Sequence, residues 1–371
     1  MAKTTKMKKV EEKATERVLM SVVDVEKKYV YDPSEDVYGG GDGIVSWGVA
    51  NDLPKLLINC SERSATLKAC IDQSINYVMG DNIIVNDEAA KWREKVNRRG
   101  LDMRGLINRI LNDYFTTGNF AIQVIYNGLG QPVELFPLDV AKCRLNKNRD
   151  QVIYNKKGFS RWSTAGERYD RWGYKDIDPE NPTQIFFYNG DGVRKVYNTA
   201  PWAAALDDVL TEIEGSRFSL NSVANGFSAR YIIEIPDTSN LTDEQKDVVV
   251  QGIRDHFTGS DAPSNFMVYW GNDESKSLEV RKIEADETPE RFNAIRQASK
   301  ENIFTAMRMS PLLVGTAVAN TGFSTDEYMS AYKLYNRTIA MGYQDMIKSV
   351  IDDITGVQGA ITIIPFSIKF D

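Results

Sequence analysis

TPERFNAIRQASKENIFTAMRMSPLLVGTAVANTGFSTDEYMSAYKLYNRTIAMGYQDMIKSVIDDI, residues 288–354, spells a helix, a break, a small-residue loop and one long amphipathic helix. Thr288 is a capping residue type, and Pro289 follows at the first helical position, where its missing N–H costs nothing. This helix is expected to run to Met309, because Pro311 pushes Ser310 out of the helical region. The loop over 312–322 is rich in Gly, Ala and Thr, and offers nothing large to bury beyond Leu312, Leu313 and Val314. The second helix opens with a capping box, Ser324 and Glu327, and a hydrophobic staple, Phe323 and Tyr328. Loss of the Ser324 cap is expected to cost about 1 kcal/mol. An apolar stripe then steps by fours and threes through Tyr328, Tyr332, Tyr335, Ile339, Tyr343, Met346 and Val350. A helix of roughly thirty residues is on the order of 45 Å long, against about a dozen residues for an ordinary one. A rod of that length suits an elongated subunit or an assembly, and the loop before it is presented to something.

Composition bounds the rest. The chain has 371 residues, 42% hydrophobic and 26% charged, which suits a soluble globular protein with two or three cores. No apolar run reaches the length of a membrane span, and no signal-peptide pattern is present. Residues 1–17 carry six basic and three acidic side chains and read as a solvated tail. Three cysteines without a CxxC pair exclude a zinc ribbon or thioredoxin-type site and point to free thiols in a reducing cytoplasm. The one histidine, His256, has no nucleophile motif beside it and reads as a residue near a helix C-terminus. Neither a cofactor nor a metal is expected. The net charge is −7, and a tail of net +3 leaves −10 for the remainder. A protein that grips DNA through its phosphates is normally basic on the contacting face. This chain either does not meet nucleic acid or meets it without holding on.

The order of elements predicts an α+β fold. A strand is expected over 18–25, then a glycine cluster, Gly39-Gly40-Gly41-Asp42-Gly43. No Gly-Lys-Ser/Thr follows it and the spacing misses GxGxxG, so it reads as a loop rather than a phosphate cradle. Helices are expected over 56–79, 88–98 and 103–116, with a short strand at 83–85. Residues 118–126 and 133–138 form a hairpin around Asn127-Gly128-Leu129-Gly130. Strands follow at 151–155 and 184–188. Between them, residues 161–175 interleave arginine with aromatics, a pattern that can stack on bases. Glu167 and Asp170 dilute its charge, so a surface packing arginine stems on tryptophan is the plainer reading. Next come a helix over 201–229, a strand at 231–235, a helix over 242–256 capped at Thr242, and strands at 266–270 and 278–283.

This order resembles the portal proteins of tailed bacteriophages and prophages in the broad family with HK97-like capsids. The residues that carry the resemblance are Leu111-Asn112-Asp113-Tyr114-Phe115-Thr116-Thr117-Gly118-Asn119-Phe120, the turn and Leu135-Phe136-Pro137-Leu138 after it, and Arg291-Phe292 through Ile303. Met309-Ser310-Pro311-Leu312-Leu313-Val314-Gly315 and the capped helix after Ser324 complete it. The likeness spans roughly 46–353, and its specificity lies in order and spacing, not in any one piece. It implies a ring, commonly of twelve subunits, at one capsid vertex of the virion, assembled in the bacterial host cytoplasm. Double-stranded DNA would pass through it, driven by the terminase large subunit, and a head–tail adaptor and the major capsid or scaffold protein would bind it.

By segments, the resemblance implies a tail and first strand (1–28), a wing (29–200), a first stem helix (201–230), a clip (231–287), a second stem helix (288–309), a tunnel loop (310–323), and a long wing helix with a short C-terminal strand (324–371). Little or no crown is expected. Ser310, Pro311, Thr316, Asn320 and Thr321 are the implied channel-loop residues. Asp243, Glu244, Arg254 and His256 are the implied clip contacts for motor or adaptor. Arg291, Arg296, Lys300 and Arg308 on the second stem helix either soften repulsion of DNA or pair with acids of a neighbouring subunit; both readings stay open.

The physics suits a conduit. Each neutralised phosphate adds a salt-dependent grip, which acts as friction on moving DNA, whereas a loop uncharged from 310 to 322 guides without adhesion. No ATP-binding motif is present, so the energy must come from a partner ATPase. Two rivals remain. Pro236-Asp237 and Glu274-Ser275-Lys276 mimic a metal-dependent PD…ExK nuclease, although the second piece reads as a turn. The chain could also be a structural ring of a virion or export machine through which no DNA passes.

Overall fold

The computed structural model describes residues 35–38, 43–160, 165–190, 195–224, 230–236, 266–271, 279–283, 288–316 and 324–367. The strand expected at 18–25 and the helix expected over 242–256 lie outside them. The chain divides within two helices into two units, 1–210 with 302–371, and 211–301.

The first unit opens with a small antiparallel ribbon, β1 (Val37–Tyr38) and β2 (Ile44–Val45); of the glycine cluster in the sequence between them, all but Gly43 lies outside the described residues. The single helix expected over 56–79 is two, α1 (Leu53–Arg63) and α2 (Ala65–Met79). Ser64 divides them. Its backbone is extended (ψ 115°), and its hydroxyl accepts from Leu67 N at 3.1 Å, capping the second helix. Helix α2 buries Leu67, Cys70, Ile71, Ser74, Ile75, Tyr77 and Val78, spaced as a helix spaces one broad face. Strand β3 (Asn82–Val85) follows.

The helix expected over 88–98 is only a 3₁₀ turn, Asp87–Trp92. Beyond it the backbone serves tertiary pairing: Val96 N donates to Leu101 O (2.7 Å) and Val96 O accepts from Leu135 N (2.8 Å). The Asn97 amide donates to Leu135 O at 2.8 Å, and Arg98 grips Glu134 with two nitrogens (3.0 and 2.6 Å). These bonds replace the helical ladder.

Helix α3 (Met103–Thr117), capped by Asp102, leads into the expected hairpin, β4 (Phe120–Tyr126) and β5 (Pro132–Leu138). Strands β6 (Cys143–Leu145), β7 (Gln151–Tyr154), β8 (Glu167–Arg171) and β9 (Thr183–Tyr188) complete a six-stranded sheet in the order β5-β4-β9-β8-β7-β6. Only β8 and β9 pair in parallel, over two residues. Of the three arginines in the aromatic stretch, Arg171 packs differently from the expectation, while Arg161 and Trp162 lie outside the described residues. Arg171 lies over the Tyr174 ring (4.8 Å) and donates to Phe187 O and Asn189 Oδ1 (3.0 and 2.8 Å), while Trp172 meets Phe186 edge-on. A carbonyl of β9 and the Asn189 amide hold the guanidinium, so tryptophan is not its platform.

A buried cation ties the N-terminal loop to this sheet. Arg144, 1% exposed, donates to Asn51 Oδ1 and O (2.5 and 2.8 Å) and to Ala141 and Cys143 O (3.0 and 2.7 Å), under the Phe159 ring. Burial holds it down, to about 10, with no carboxylate among its hydrogen-bond partners. Every donor direction it uses is answered by an oxygen, which is what makes a buried charge tolerable. All three cysteines are free and buried.

Helix α4 (Leu206–Ala224) begins later than the helix expected over 201–229, because residues 203–205 form a 3₁₀ turn behind the buried Trp202; residues 225–229 lie outside the described residues. In the second unit, β10 (Arg230–Pro236) is the centre of a three-stranded sheet, parallel to β11 (Phe266–Gly271) and antiparallel to β12 (Glu279–Ile283). A parallel pair needs a crossover of a dozen residues or more; the chain between β10 and β11, residues 237–265, is long enough for one and lies outside the described residues.

Helix α5 (Thr288–Ala306) is the first helix of the opening stretch. The long helix is present from Thr325 to Thr355, as α6 (Thr325–Tyr335), a π turn (Asn336–Ala340) and α7 (Met341–Thr355). Ser324 stands at its N-cap, but its hydroxyl makes no capping bond, contrary to the capping box expected; Asp326 and Glu327 carry the favourable charge of the first turn instead. Phe323 lies outside the described residues. The chain closes with the short strand expected there, β13 (Ile361–Ile364), antiparallel to β3. Among the described residues no helix is long and apolar enough to cross a membrane.

Candidate channel site

The break between α5 and α6 is built from two devices. The first ends α5. Met309 N donates to Phe304 O and Arg308 N to Thr305 O, both at 3.0 Å, the paired bonds of a Schellman motif. Arg308 occupies the left-handed position (φ 52°) where glycine is usual, and Met309 and Phe304 are both buried, as the motif's hydrophobic contact requires. The helix therefore stops at Ala306, short of the Met309 expected. Arg308 is off the helix.

The second device is Ser310-Pro311. Ser310 is extended (ψ 137°), as proline demands of its predecessor, and Pro311–Val314 form a 3₁₀ turn. Leu313 is 3% exposed, and its carbonyl accepts from the Tyr77 hydroxyl at 3.4 Å. That hydroxyl also lies 3.0 Å from the Tyr328 hydroxyl on α6. The Tyr77 ring touches Tyr332 (5.3 Å), Tyr335 (5.5 Å) and Phe366 (5.4 Å), and Tyr335 donates to Ser74 Oγ at 2.8 Å. Gln344 donates to Tyr77 O and Val78 O (3.3 and 3.1 Å), fastening α7 to the end of α2. Burial first, and the Tyr328 hydroxyl second, push the Tyr77 phenol far above its ordinary range, so it stays a hydrogen-bonding neutral group.

Against this frame Ser310 and Pro311 are half-buried at the base of the loop, and Thr316 is exposed where the described part of the loop ends. Asn320 and Thr321 lie outside the described residues, as do Asp243, Glu244, Arg254 and His256. Of the basic residues, Arg291 is described by its helical backbone alone. Arg296 and Lys300 are half-buried in the second unit, and the Arg296 Nε is buried with no hydrogen-bond partner among the described residues. Arg308 belongs to the first unit and does not share their helix. Tyr77 was not among the residues singled out from the sequence. Its only sequence signal is the tyrosine run on α6, which needs an aromatic partner. Of the nuclease-like residues, Pro236 closes β10 opposite Gly271, and Asp237, Glu274 and Lys276 lie outside the described residues. Among the described residues no cluster of three or more His, Cys, Asp or Glu is placed to hold a metal.

An α+β body carrying a proline-broken helix pair around a loop is the architecture of a virion portal. Residues 84–345, well over half of the chain, match the family model described as phage portal protein, and the chain belongs to that family. A curated relative, described as a probable portal protein of Haemophilus phage HP1 (strain HP1c1), is 25% identical over 252 residues, which is 68% of each chain. Two solved structures share the fold. One is a chain of the virion of a native gene transfer agent particle (TM-score 0.55, 16% identity, 90% of this chain and 86% of that one). The other is a chain of the neck of an empty gene transfer agent particle computed with C6 symmetry (TM-score 0.55, 16% identity, 84% of each).

Proposed function

We propose that copies of this chain close into a ring, commonly of twelve in this family, at one capsid vertex. Double-stranded DNA enters through it under the terminase motor and later leaves through it, and a head–tail adaptor attaches to it. In this reading residues 29–200 are the wing, α4 and α5 the stem, 231–287 the clip that meets motor or adaptor through Asp243, Glu244, Arg254 or His256, and 310–323 the loop that borders the DNA. The protein is a structural conduit, assembled in the host cytoplasm, and the ATPase is a partner. The family match carries the reading, because its span takes in the loop and the helices on both sides of it. The Tyr77–Leu313 bond supports it as well: it holds one end of the loop on the rigid body, so that Thr316, Asn320 and Thr321 can be presented without the base moving.

Negative-stain microscopy of the purified protein is the test. An annulus with a central opening wide enough for duplex DNA is expected. A lone globule, or a ring whose pore is too narrow for the duplex, sinks the proposal. Replacing Arg291, Arg296 and Lys300 by glutamate separates their two readings. Rings that survive exclude pairing with a neighbour's acids, and rings that fall apart exclude a role confined to DNA.

A further inference from the structure

We propose that Arg308 and the cavity beside it form a carboxylate pocket, filled by an acidic side chain of the adjacent copy in the ring. This rests on the ring reading above and goes beyond it by naming a contact. Three observations converge on it.

The first is the backbone. A side chain in the left-handed region is disfavoured relative to glycine, and such residues persist mainly where a function holds them. Position 308 (φ 52°) would take glycine without strain, yet it carries arginine. The second is the guanidinium, which has no ion pair or side-chain hydrogen bond among the described residues. The third is the cavity, about 210 Å³, walled by Tyr114, Phe115, Thr199, Tyr335, Ile339 and Tyr343 with Arg308 at its side. The Tyr114 and Tyr343 rings meet edge-on within it, their centroids 5.4 Å apart.

The chemistry of these walls selects the ligand. Aromatic rings lower the local dielectric and strengthen a charge-assisted pair, while the planar guanidinium fork matches the two oxygens of a carboxylate. The Thr199 and tyrosine hydroxyls can answer the remaining lone pairs. A recess of this volume admits the end of one side chain. The chain holds 52 acidic residues against 45 basic ones, so an identical neighbour has carboxylates to spare.

Arg308→Gln and Arg308→Gly test the pocket by native mass spectrometry of ring assembly. Both are expected to raise the concentration needed for half-assembly by roughly tenfold or more. Arg308→Gly relieves the backbone at the same time, so its monomer should melt no lower than the wild type; weakened rings from a sound subunit cannot then be blamed on misfolding. Zero-length carbodiimide cross-linking of Arg308→Lys rings should tie position 308 by an amide bond to an acidic residue of another copy. Rings unchanged in the Gln and Gly variants, or a link that falls within one copy, overturn this inference alone. A wild-type chain that never forms rings overturns both it and the ring reading.

Discussion

Tyr77 on α2 and Tyr328 on α6 share a hydroxyl–hydroxyl hydrogen bond of 3.0 Å, and the Leu313 carbonyl lies 3.4 Å from the same Tyr77 oxygen. One phenol thus joins a helix of the body, the base of the loop and the start of the long helix. Tyr77→Phe and Tyr328→Phe should each cost about 1 kcal/mol in chemical denaturation. Because they break one shared bond, the double variant should cost clearly less than the two together. Strict additivity would mean that the two hydroxyls do not interact.

Arg308→Gly should stabilise the isolated subunit by about 1 kcal/mol, the penalty a side chain carries in the left-handed region. The Schellman bonds from Met309 and Arg308 use backbone atoms alone and survive the change. A lower melting temperature for this variant would contradict the assignment of strain.

Gly118 and Asn119 join α3 to β4 and to the segment that enters α4. Gly118 (φ 82°) packs so closely that an added Cβ would lie 2.5 Å from the Thr199 carbonyl oxygen. Asn119, fully buried, donates to Thr117 O and Asn198 O and accepts from Asn198 N, each at 2.9 Å. Asn119→Leu leaves those groups unanswered and should cost about 3 kcal/mol. Gly118→Ala should cost at least as much, or prevent soluble expression; a near-neutral result for either variant would refute this account of the junction.

Asp113 on α3 supplies a pH signature. Desolvation first and repulsion from Asp139 second push its carboxyl up to about 8, while the Val140 N–H pulls weakly the other way. Unfolded aspartate titrates near 4. Between about pH 4 and 8 the folded chain keeps a proton that the unfolded chain has lost, so this group's contribution is full below about 4 and is lost as pH rises through about 8. In urea titrations Asp113→Asn should flatten that fall; an unchanged slope would show that Asp113 is ionised in the fold.

Much of this was legible in the chain. The β4–β5 hairpin, α3, β10 to β12 and the helix–break–helix pattern announce themselves through periodicity and turn chemistry. Three departures have physical causes. Ser64 splits one helix into two because its side chain competes for the backbone. Residues 88–98 leave the helix because Val96 and Asn97 find better partners on β5, a contact that no local pattern encodes. The stripe read as Ile339, Tyr343, Met346 and Val350 holds its phase only in part. Ala340 at the end of the π turn is buried, and after it the buried positions are Gln344, Ile347, Val350, Ile351, Ile354 and Thr355. The wider turn rotates the apolar face by about one residue. At the candidate site, Pro311 and its effect on Ser310 were readable, whereas Tyr77 and the left-handed Arg308 depend on tertiary packing and a helix stop that carries no glycine.

The π turn at Asn336–Ala340 bears on how this chain should be compared with others. A wide turn of this kind is what a helix looks like when it has absorbed one extra residue without shifting either flank. A relative with an unbroken helix would lack that residue. Superposing the two sequences without a one-position gap there would set the lining of one protein's interior against the outside of the other's. Weak identity across the second half of the helix can therefore come from misplaced gaps as well as from true divergence.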